Sequence, residues 1–361
     1  MDVDERVAED IRPLLVALKL LESLGIVDFG LDSEAEVANC EAGEHDLIEQ
    51  FETKAASPED QFLARVLDWG YITENDDYRI AVAYSSGGIA LTDEAALRKL
   101  RNVGKEIIKR LGKKILRGDL NLTTMSFPIA CMLPNSALHN CLRSCMMLPM
   151  YLGRAAQVSD PVERLKLTVV GTISSFVHTS TFLKPLNPVL GETLSASYED
   201  GTQLFSEQTF HHPPISHIYL IGPRNLYRGY GYYQFASHAH LNSFSVPSIQ
   251  IGNSGHRTIE FADGQKIVHT FPDEQYSGAF LGTFRHESLG TLEFKDEANQ
   301  LTCVVKISGV RGKPSDYVDG TVTHRGQVIS KMRGTYLGYF EFDGVRYWDH
   351  RYVPPSNVRL I

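Results

Sequence analysis

The chain has 361 residues, enough to bury a large hydrophobic core, either as one large domain with an appendage or as two domains. Its content of hydrophobic residues (43%) and charged residues (22%) is ordinary for a soluble globular protein. No apolar run approaches the roughly 18 residues of a membrane span, and the acidic start Met1–Glu5 is not that of a signal peptide. We therefore expect a cytosolic protein, and five cysteines without metal-ligand spacing fit a reducing compartment.

The negative charge of the chain is concentrated in its first part. Residues 1–100 carry a net charge of −15, whereas the remaining residues carry +6. No concentrated basic patch is interleaved with aromatic residues, which argues against nucleic-acid binding. A mildly basic body can instead face an anionic ligand or an anionic membrane.

The first hundred residues predict a small helical extension. Apolar residues recur at helical spacing over residues 5–24, and residues 28–58 are acidic and weakly periodic. A second helix is predicted to begin at Ser57–Pro58, because serine is a good N-cap and proline is tolerated in the first turn. The apolar stripe of this helix consists of Phe62, Val66 and Trp69.

The next helix is predicted to begin at Thr92–Glu94 and to run to about Leu116. One of its faces is apolar, with Leu100, Val103, Ile107, Leu111 and Ile115. Another face is basic, with Arg101, Lys105, Lys109, Arg110, Lys113 and Lys114. Two interpretations stay open: a packed helix with a solvated basic face, or a helix that rests on an anionic membrane surface.

Residues 123–151 are apolar, rich in methionine and cysteine, and interrupted by prolines. Cys141 and Cys145 lie one helical turn apart with His139 nearby, but structural zinc sites prefer paired cysteine clusters with further ligands. We therefore expect a hydrophobic core here and no metal. Asp160–Glu163 opens a helix through about Phe176. We expect this helical layer to cover one side of a sheet.

After Gly191 the sequence changes to short alternating or aromatic-rich runs without intervening helices. These runs predict β-strands at 192–197, 203–209, 218–220, 226–236, 244–251, 258–261, 266–271, 279–284, 290–294, 301–308, 320–324, 328–333, 336–342 and 345–348. Asp263-Gly264 is a candidate type I′ turn. So many strands indicate a large antiparallel sheet, which tends to curl or close and can leave a ligand cavity. The predicted fold is α+β, with a barrel-like antiparallel sheet and N-terminal helices.

The most unusual stretch is Glu207–Pro214, which reads E-Q-T-F-H-H-P-P. Its prolines remove backbone donors and hold the chain extended, so the strand before them is predicted to stop. His211 and His212 are then fixed at a strand end, where they can donate hydrogen bonds to an anion. The alternative is a structural pair with one ring buried and one exposed. An enzyme would need a nucleophile beside His211 and Glu207, and none is evident.

Lys184–Glu192, which reads K-P-L-N-P-V-L-G-E, is the second informative stretch. Two prolines stiffen this loop, which presents Lys184 as a point charge and Asn187 as a hydrogen-bonding amide. Taken alone, this stretch indicates a proline-rich turn with a surface lysine. A phosphomonoester, however, carries about −1.5 to −2 charges. A lysine, an amide and two imidazoles are donors that suit it.

Both stretches resemble the E-Q-x-x-H-H-P-P and K-P-x-N-P-x-L-G-E motifs of the oxysterol-binding protein-related lipid-transfer domain. The D-P-V-E-R-L run from Asp160 is similar too, and Leu111–Leu120, with its Gly-Asp-Leu turn, resembles the lid region of the family. The resemblance covers residues 100–350. We assign residues 100–361 to this domain and residues 1–99 to an extension of unknown role. The resemblance implies an apolar tunnel inside the sheet, closed by an amphipathic lid.

The resemblance also implies roles for individual residues. The headgroup of phosphatidylinositol 4-phosphate is expected at Lys184, Leu186, Asn187, His211 and His212. The lipid tunnel is expected at Phe176, Tyr233 and Gln250, and the lid or membrane contact at Val103, Lys105, Ile107, Lys109, Leu111 and Ile115. The family takes a further lysine, glutamate and arginine from helices beyond the sheet. This chain has no match for them, and we expect that helical part to be short or missing.

The implied function is non-vesicular lipid transfer between membranes, in which a sterol or another lipid is exchanged for phosphatidylinositol 4-phosphate. Phosphatidylserine as the second lipid, a phosphoinositide carrier or sensor without sterol, and a scaffold with a degenerate site stay open. We expect no enzyme activity, since nucleophile-elbow, P-loop and dinucleotide motifs are missing. We also expect no metal or redox cofactor and no nucleic-acid partner. The protein should be a monomer that binds peripherally to membranes, including contact sites of the endoplasmic reticulum.

Overall fold

The computed structural model describes residues 57–67, 70, 72–115, 128–240, 248–278 and 282–361. The predicted helix over residues 5–24, the acidic segment before residue 57 and the Gly-Asp-Leu turn at residues 118–120 lie outside these ranges. In the part that the structure describes, no helix combines the length and the apolar character needed to cross a membrane.

The described residues form five α-helices: α1 (Pro58–Leu67), α2 (Glu94–Ile115), α3 (Leu138–Arg143), α4 (Leu148–Ala155) and α5 (Pro161–Ser174). Three of them begin at a side chain that accepts a backbone hydrogen bond, as the sequence predicts. The acceptors are Ser57 Oγ (3.1 Å), Asp93 Oδ1 (2.8 Å) and Asp160 Oδ1 (3.0 Å). The helix predicted to reach Phe176 ends at Ser174, and a 3₁₀-helix over Ser175–His178 follows.

The described residues also form seventeen strands: β1 (Ile89–Ala90), β2 (Met132–Ser136), β3 (Lys184–Leu186), β4 (Thr193–Tyr198), β5 (Gln203–His211), β6 (Pro214–Ile221), β7 (Tyr227–His240), β8 (Ser248–Phe261), β9 (Lys266–Thr270), β10 (Asp273–Ser277), β11 (Arg285–Asp296), β12 (Leu301–Ile307), β13 (Tyr317–His324), β14 (Gln327–Thr335), β15 (Tyr339–Phe342), β16 (Val345–Asp349) and β17 (Val358–Leu360). Fifteen belong to one antiparallel sheet, and β2 and β3 form a separate parallel pair. The main path of the sheet runs β16-β15-β14-β13-β12-β11-β10-β8-β7-β6-β5-β4-β17. Consecutive strands are therefore neighbours almost throughout, which confirms the predicted meander and the α+β class.

Several strand and turn boundaries differ from the prediction. The type I′ turn predicted at Asp263-Gly264 is wrong, because only Gly264 has a positive φ (86°) and Phe261 N donates to Gln265 O across a longer loop. Residues 248–251 and 258–261, predicted to lie in two separate strands, belong to one long strand, β8, whereas residues 244–247 lie outside the described ranges. The strand predicted over 279–284 is misplaced, since β10 lies earlier in the chain and residues 282–284 are not in a strand.

The helical layer covers one side of the sheet, as predicted. Helix α5 packs against α4 and against β11, β12, β15 and β16. Its side chains Leu165, Val169 and Ile173 are fully buried. Gly171 permits the close approach of α5 to α4, because a Cβ at this position would lie 2.7 Å from the Cβ of Tyr151.

Residues 72–90, called the strap here, cross the sheet near its β16 edge. Ile72 N donates to Arg346 O, Ile80 N donates to Leu337 O, and β1 pairs with β11. The strap also carries Arg79, whose guanidinium lies 2.5 Å from the buried carboxylate of Asp316. The strap, which precedes the boundary predicted at residue 99, therefore packs on the sheet, and the division of the chain at that boundary stays a prediction.

Candidate functional site

Lys184 and Asn187 lie on and directly after β3. Lys184 Nζ donates a hydrogen bond to Asn187 Oδ1 (2.7 Å) and another to Pro185 O (3.4 Å). Burial lowers the pKa of Lys184 from its usual value, and the nearby Cys131 opposes this effect more weakly. The lysine and the amide singled out in the sequence are therefore in direct contact, and the ammonium group is partly withdrawn from water.

The loop after β3 is held against β5. Gly191 N donates to Gln208 O (2.8 Å), and Gln208 N donates to Glu192 O (3.0 Å). Glu192 Oε2 in turn accepts a hydrogen bond from Val189 N (3.0 Å). The point of attachment, Gln208, lies three residues before His211, so this loop and the histidine pair meet at the same end of β5.

His211 and His212 lie in the tight hairpin that joins β5 to β6. His211 pairs with Pro214, and the His212–Pro213 peptide is cis. The prediction of an extended chain is wrong here: the chain reverses, and Pro214 begins β6. Both rings are exposed, with centroids 4.8 Å apart, so the alternative with one buried ring is also wrong.

Neighbouring side chains brace this hairpin. Gln208 Nε2 donates to Phe210 O (2.7 Å), and Gln208 Oε1 accepts from Ser216 Oγ (2.6 Å). Glu207 is half-buried, and burial raises its pKa. Its Oε2 has no hydrogen-bond partner among the described residues. The bracing fixes the shape of the turn and leaves both imidazole rings at the surface.

Large apolar side chains surround these polar groups and are exposed. We call them the apolar rim: Ile129 (79% exposed), Val189 (66%), Leu190 (65%), Phe210 (53%) and Leu186 (37%). They lie in the turn before β2, on β3, in the loop after it and beside His211. A concentration of exposed apolar residues beside polar groups is typical of an interaction surface.

The three residues predicted to line a tunnel lie in different surroundings. Tyr233 is buried and stacks on Phe271 (ring centroids 4.1 Å apart). Phe176 is buried too, and its ring makes an edge-to-face contact with the ring of Tyr336 (centroids 6.4 Å apart). Gln250 lies on one face of β8 and the buried Ile259 lies on the other. Gln250 Nε2 donates a hydrogen bond to Asp273 Oδ2 (3.1 Å). The tunnel roles of all three stay predictions.

The predicted lid residues lie in the part of α2 from Val103 to Ile115. Val103 is half-buried and Lys105 is exposed, and just before them Arg101 Nη2 donates to Gly282 O (2.5 Å). The remaining lid residues belong to the helix, but their side chains lie outside the described part of the structure: Ile107, Lys109, Leu111 and Ile115. The lid role stays a prediction.

A polar cluster that was not predicted from the sequence lies on the core-facing side of β7 and β8. Arg257 is fully buried, and its Nη2 lies 2.5 Å from Tyr233 Oη, 3.2 Å from Cys145 Sγ and 3.5 Å from Ser144 Oγ. Ser144 Oγ and Tyr233 Oη are 2.8 Å apart. We call these four residues the interior cluster. The signal was available, because Arg257 has the same strand parity as the apolar residues Ile259 and Phe261.

Comparison with known proteins gives a consistent result. The family model described as oxysterol-binding protein matches residues 111–351. Oxysterol-binding protein 9 of Dictyostelium discoideum is 32% identical over 297 residues, which cover 75% of this chain and 68% of that protein. Oxysterol-binding protein-related protein 6 of Homo sapiens is 39% identical over 110 residues, which cover 28% of this chain and 11% of that protein.

Solved structures share the fold. The Osh1 ORD domain in complex with ergosterol has a TM-score of 0.55 and 17% identity, over 85% of this chain and 72% of that domain. The Osh3 ORD of Saccharomyces cerevisiae in complex with PI(4)P has a TM-score of 0.52 and 19% identity, over 75% of this chain and 69% of that chain. This likeness places the large antiparallel sheet in a known architecture.

Proposed function

The chain belongs to the oxysterol-binding protein family, and from this premise we propose that it carries phosphatidylinositol 4-phosphate and a sterol in exchange between membranes. The observation that carries the proposal is the attachment of the loop that follows Lys184 and Asn187 to β5 at Gln208, three residues before His211. The same two ligand types occur in the solved relatives, ergosterol in Osh1 and PI(4)P in Osh3.

The headgroup site is built from donors of different kinds. Asn187 Oδ1 accepts from Lys184, which leaves the amide hydrogens of Asn187 to donate to a phosphate oxygen. Lys184 supplies a charge whose partial burial strengthens its attraction to an anion. The two exposed imidazoles add donors from the neighbouring hairpin. Hydrogen bonds of this charge-assisted kind contribute about 1.5–3 kcal/mol each.

The apolar rim supports peripheral binding to membranes on the cytoplasmic side. Its five residues frame the headgroup site, so they can enter the lipid interface while the polar groups face the headgroups. Membrane contact and uptake of the headgroup would then take place at the same end of the molecule. Helix α2, with a basic face in its sequence, is proposed to act as the lid at this end.

Extraction of phosphatidylinositol 4-phosphate from liposomes tests the headgroup site. We expect the double variant His211→Ala/His212→Ala to extract this lipid at least about 100-fold less well, because two charge-assisted donors are lost. His324→Ala, at the last residue of β13, is the control and should behave like the unmodified chain. Unchanged extraction by the double variant, with an unchanged circular dichroism spectrum, would remove the histidines from the site.

The exchange of two lipids needs a separate measurement. The protein is loaded with fluorescent ergosterol and then mixed with liposomes that contain phosphatidylinositol 4-phosphate. We expect release of the sterol in proportion to phosphoinositide uptake, and no release from the double histidine variant. Uptake of both lipids without release would contradict exchange through a shared tunnel.

A further inference from the structure

The interior cluster contains a buried cation, Arg257, that has no carboxylate partner in the described part of the structure. The hydrogen bonds of Arg257 go to a phenol, a thiol and a hydroxyl group. Its Nε is buried and has no hydrogen-bond partner among the described residues. A buried charge without a counter-ion is strongly unfavourable in a folded protein. The chain retains this arginine nevertheless, on the core-facing side of β8.

The neighbouring groups do not supply the missing negative charge. Burial raises the pKa of Cys145, although Arg257 and Ser144 act in the opposite direction, and burial also raises the pKa of Tyr233 far above its usual value. His269 lies directly opposite Arg257 in the β8–β9 register. Burial and the charge of Arg257 lower the pKa of His269 to about 3, and Nε2 of this histidine has no hydrogen-bond partner among the described residues. At neutral pH all three groups are therefore uncharged.

Apolar surfaces surround the cluster. Tyr233 stacks on Phe271 (4.1 Å) and on Phe235 (5.9 Å), and the guanidinium of Arg257 lies 5.4 Å from the centroid of Phe271. Ser144 and Phe235 are only half-buried, so the cluster can be approached from their side. A ligand that reaches Arg257 from there needs an anionic end and an apolar body.

We propose that Arg257 and Tyr233 bind the carboxylate of a long-chain amphiphile inside the sheet. The inference rests on the proposed lipid-carrier function and names a further class of cargo. A carboxylate carries one negative charge, which balances one guanidinium, and it accepts two parallel hydrogen bonds from it. A phosphomonoester brings about −1.5 to −2 charges and would leave negative charge uncompensated at the interior cluster.

Three ligands with the same chain and different heads test this inference: hexadecanoate, hexadecan-1-ol and hexadecyl phosphate. Binding to the purified full chain is measured below the concentration at which each ligand aggregates or separates from solution. We expect hexadecanoate to bind at least about tenfold more tightly than the other two. Arg257→Met should lower the affinity for hexadecanoate about 10- to 100-fold, and Tyr233→Phe should lower it several-fold. Arg228→Met, exposed on the other face of β7, is the matched control.

Stability separates a ligand role of Arg257 from a structural one. Because an apolar residue replaces an uncompensated charge, the urea midpoint of Arg257→Met should equal or exceed that of the unmodified chain. A lower midpoint together with lost binding would make Arg257 structural and overturn the proposal. If Arg257→Met does not fold, Tyr233→Phe decides the matter, since it keeps the packing and removes one hydroxyl group.

Other outcomes overturn the inference directly. Equal affinity for hexadecanoate and hexadecan-1-ol would show that no charge is recognised, and equal or tighter binding of hexadecyl phosphate would exclude a carboxylate-specific site. Extraction of phosphatidylinositol 4-phosphate is measured with the same preparation. Normal extraction without carboxylate preference refutes only this inference, whereas absent extraction by the unmodified chain refutes the proposed function.

Discussion

Arg164 on α5 and Arg257 on β8 are both buried, and their surroundings differ. Each nitrogen of Arg164 has an acceptor: Ala155 O (3.0 Å), Val158 O (2.7 Å), and Asp263 Oδ2 together with Gln265 Oε1 (both 2.5 Å). Within the described ranges Arg257 has no carboxylate at ion-pair distance, and its Nε has no hydrogen-bond partner there either. Burial alone therefore does not distinguish a structural arginine from a functional one. The compensation of its charge does.

The same contrast separates two regions of the molecule. Where the strap crosses the sheet, the buried acids Asp316 and Asp349 are paired with Arg79 and Arg346. At the histidine end, the cation Lys184 is backed by an amide and a carbonyl, and apolar side chains face solvent. We infer that the strap region stabilises the fold, and that the histidine end leaves interaction capacity for a ligand and a membrane.

The largest expected effect is on stability, at Asp316. This carboxylate is fully buried and accepts hydrogen bonds from Arg79 Nε (2.9 Å), Arg79 Nη2 (2.5 Å) and Thr335 Oγ1 (2.5 Å). Asp316→Ala leaves Arg79 unpaired and should lower the free energy of unfolding by about 3–5 kcal/mol. Urea denaturation measures this change.

The matched control for that variant is Asp319→Ala, on the exposed side of β13. It should change the free energy of unfolding by about 0.5 kcal/mol or less. Equal losses for the two variants would mean that compensated burial is not what stabilises the strap region, and the contrast between the two regions would disappear.

A smaller effect, on binding instead of stability, is expected at Lys184. Lys184→Ala should weaken the binding of phosphatidylinositol 4-phosphate by about 1.5–3 kcal/mol, because a charge-assisted contact is lost. Lys184→Glu should weaken this binding further, since it adds electrostatic repulsion. A sterol has no charge, so its binding should respond little to either variant. Lys306→Glu, exposed on β12, is the control, and equal losses for both lipids at Lys184 would show that this residue supports structure instead.

Much of the fold could be read from the sequence because its signals are local. Alternation after Gly191 predicts strands, and a run of short strands predicts a meander. Strand β10 was missed because its residues Asp273–Ser277 are polar and half-buried for the most part, which leaves no alternation to detect. The His212–Pro213 reversal depends on the pairing of β5 with β6, which the prolines alone do not reveal.

The site was predictable to a lesser extent. Lys184, Asn187, His211 and His212 were found through motifs, and their roles still rest on resemblance. The position of Arg257 could be read from strand parity, but the lack of a counter-ion could not, since it depends on every element packed around it. Contacts such as Arg79 with Asp316 join residues 237 positions apart and leave no local trace.

The smallest expected effect is the pH dependence of stability at Asp349. Burial by itself raises the pKa of this carboxyl, but hydrogen bonds and charge from Arg351, with a further contribution from Arg346, outweigh it and lower the pKa below the usual value. Its stabilising contribution is therefore complete above the unfolded pKa of about 3.9, and it is lost as the pH falls through the lower folded value. At pH 6 Asp349→Asn should be less stable than the unmodified chain by about 1–2 kcal/mol.

Urea titrations between pH 6 and pH 2 should show this difference shrinking as Asp349 is protonated in the unmodified chain. A constant difference would mean that the carboxylate charge contributes nothing and that only its shape matters. For Arg257→Met the difference from the unmodified chain should stay flat down to about pH 4, because none of the described carboxylates lies beside that guanidinium. A slope there would reveal an acidic partner for Arg257, and the two arginines could no longer be told apart by their compensation.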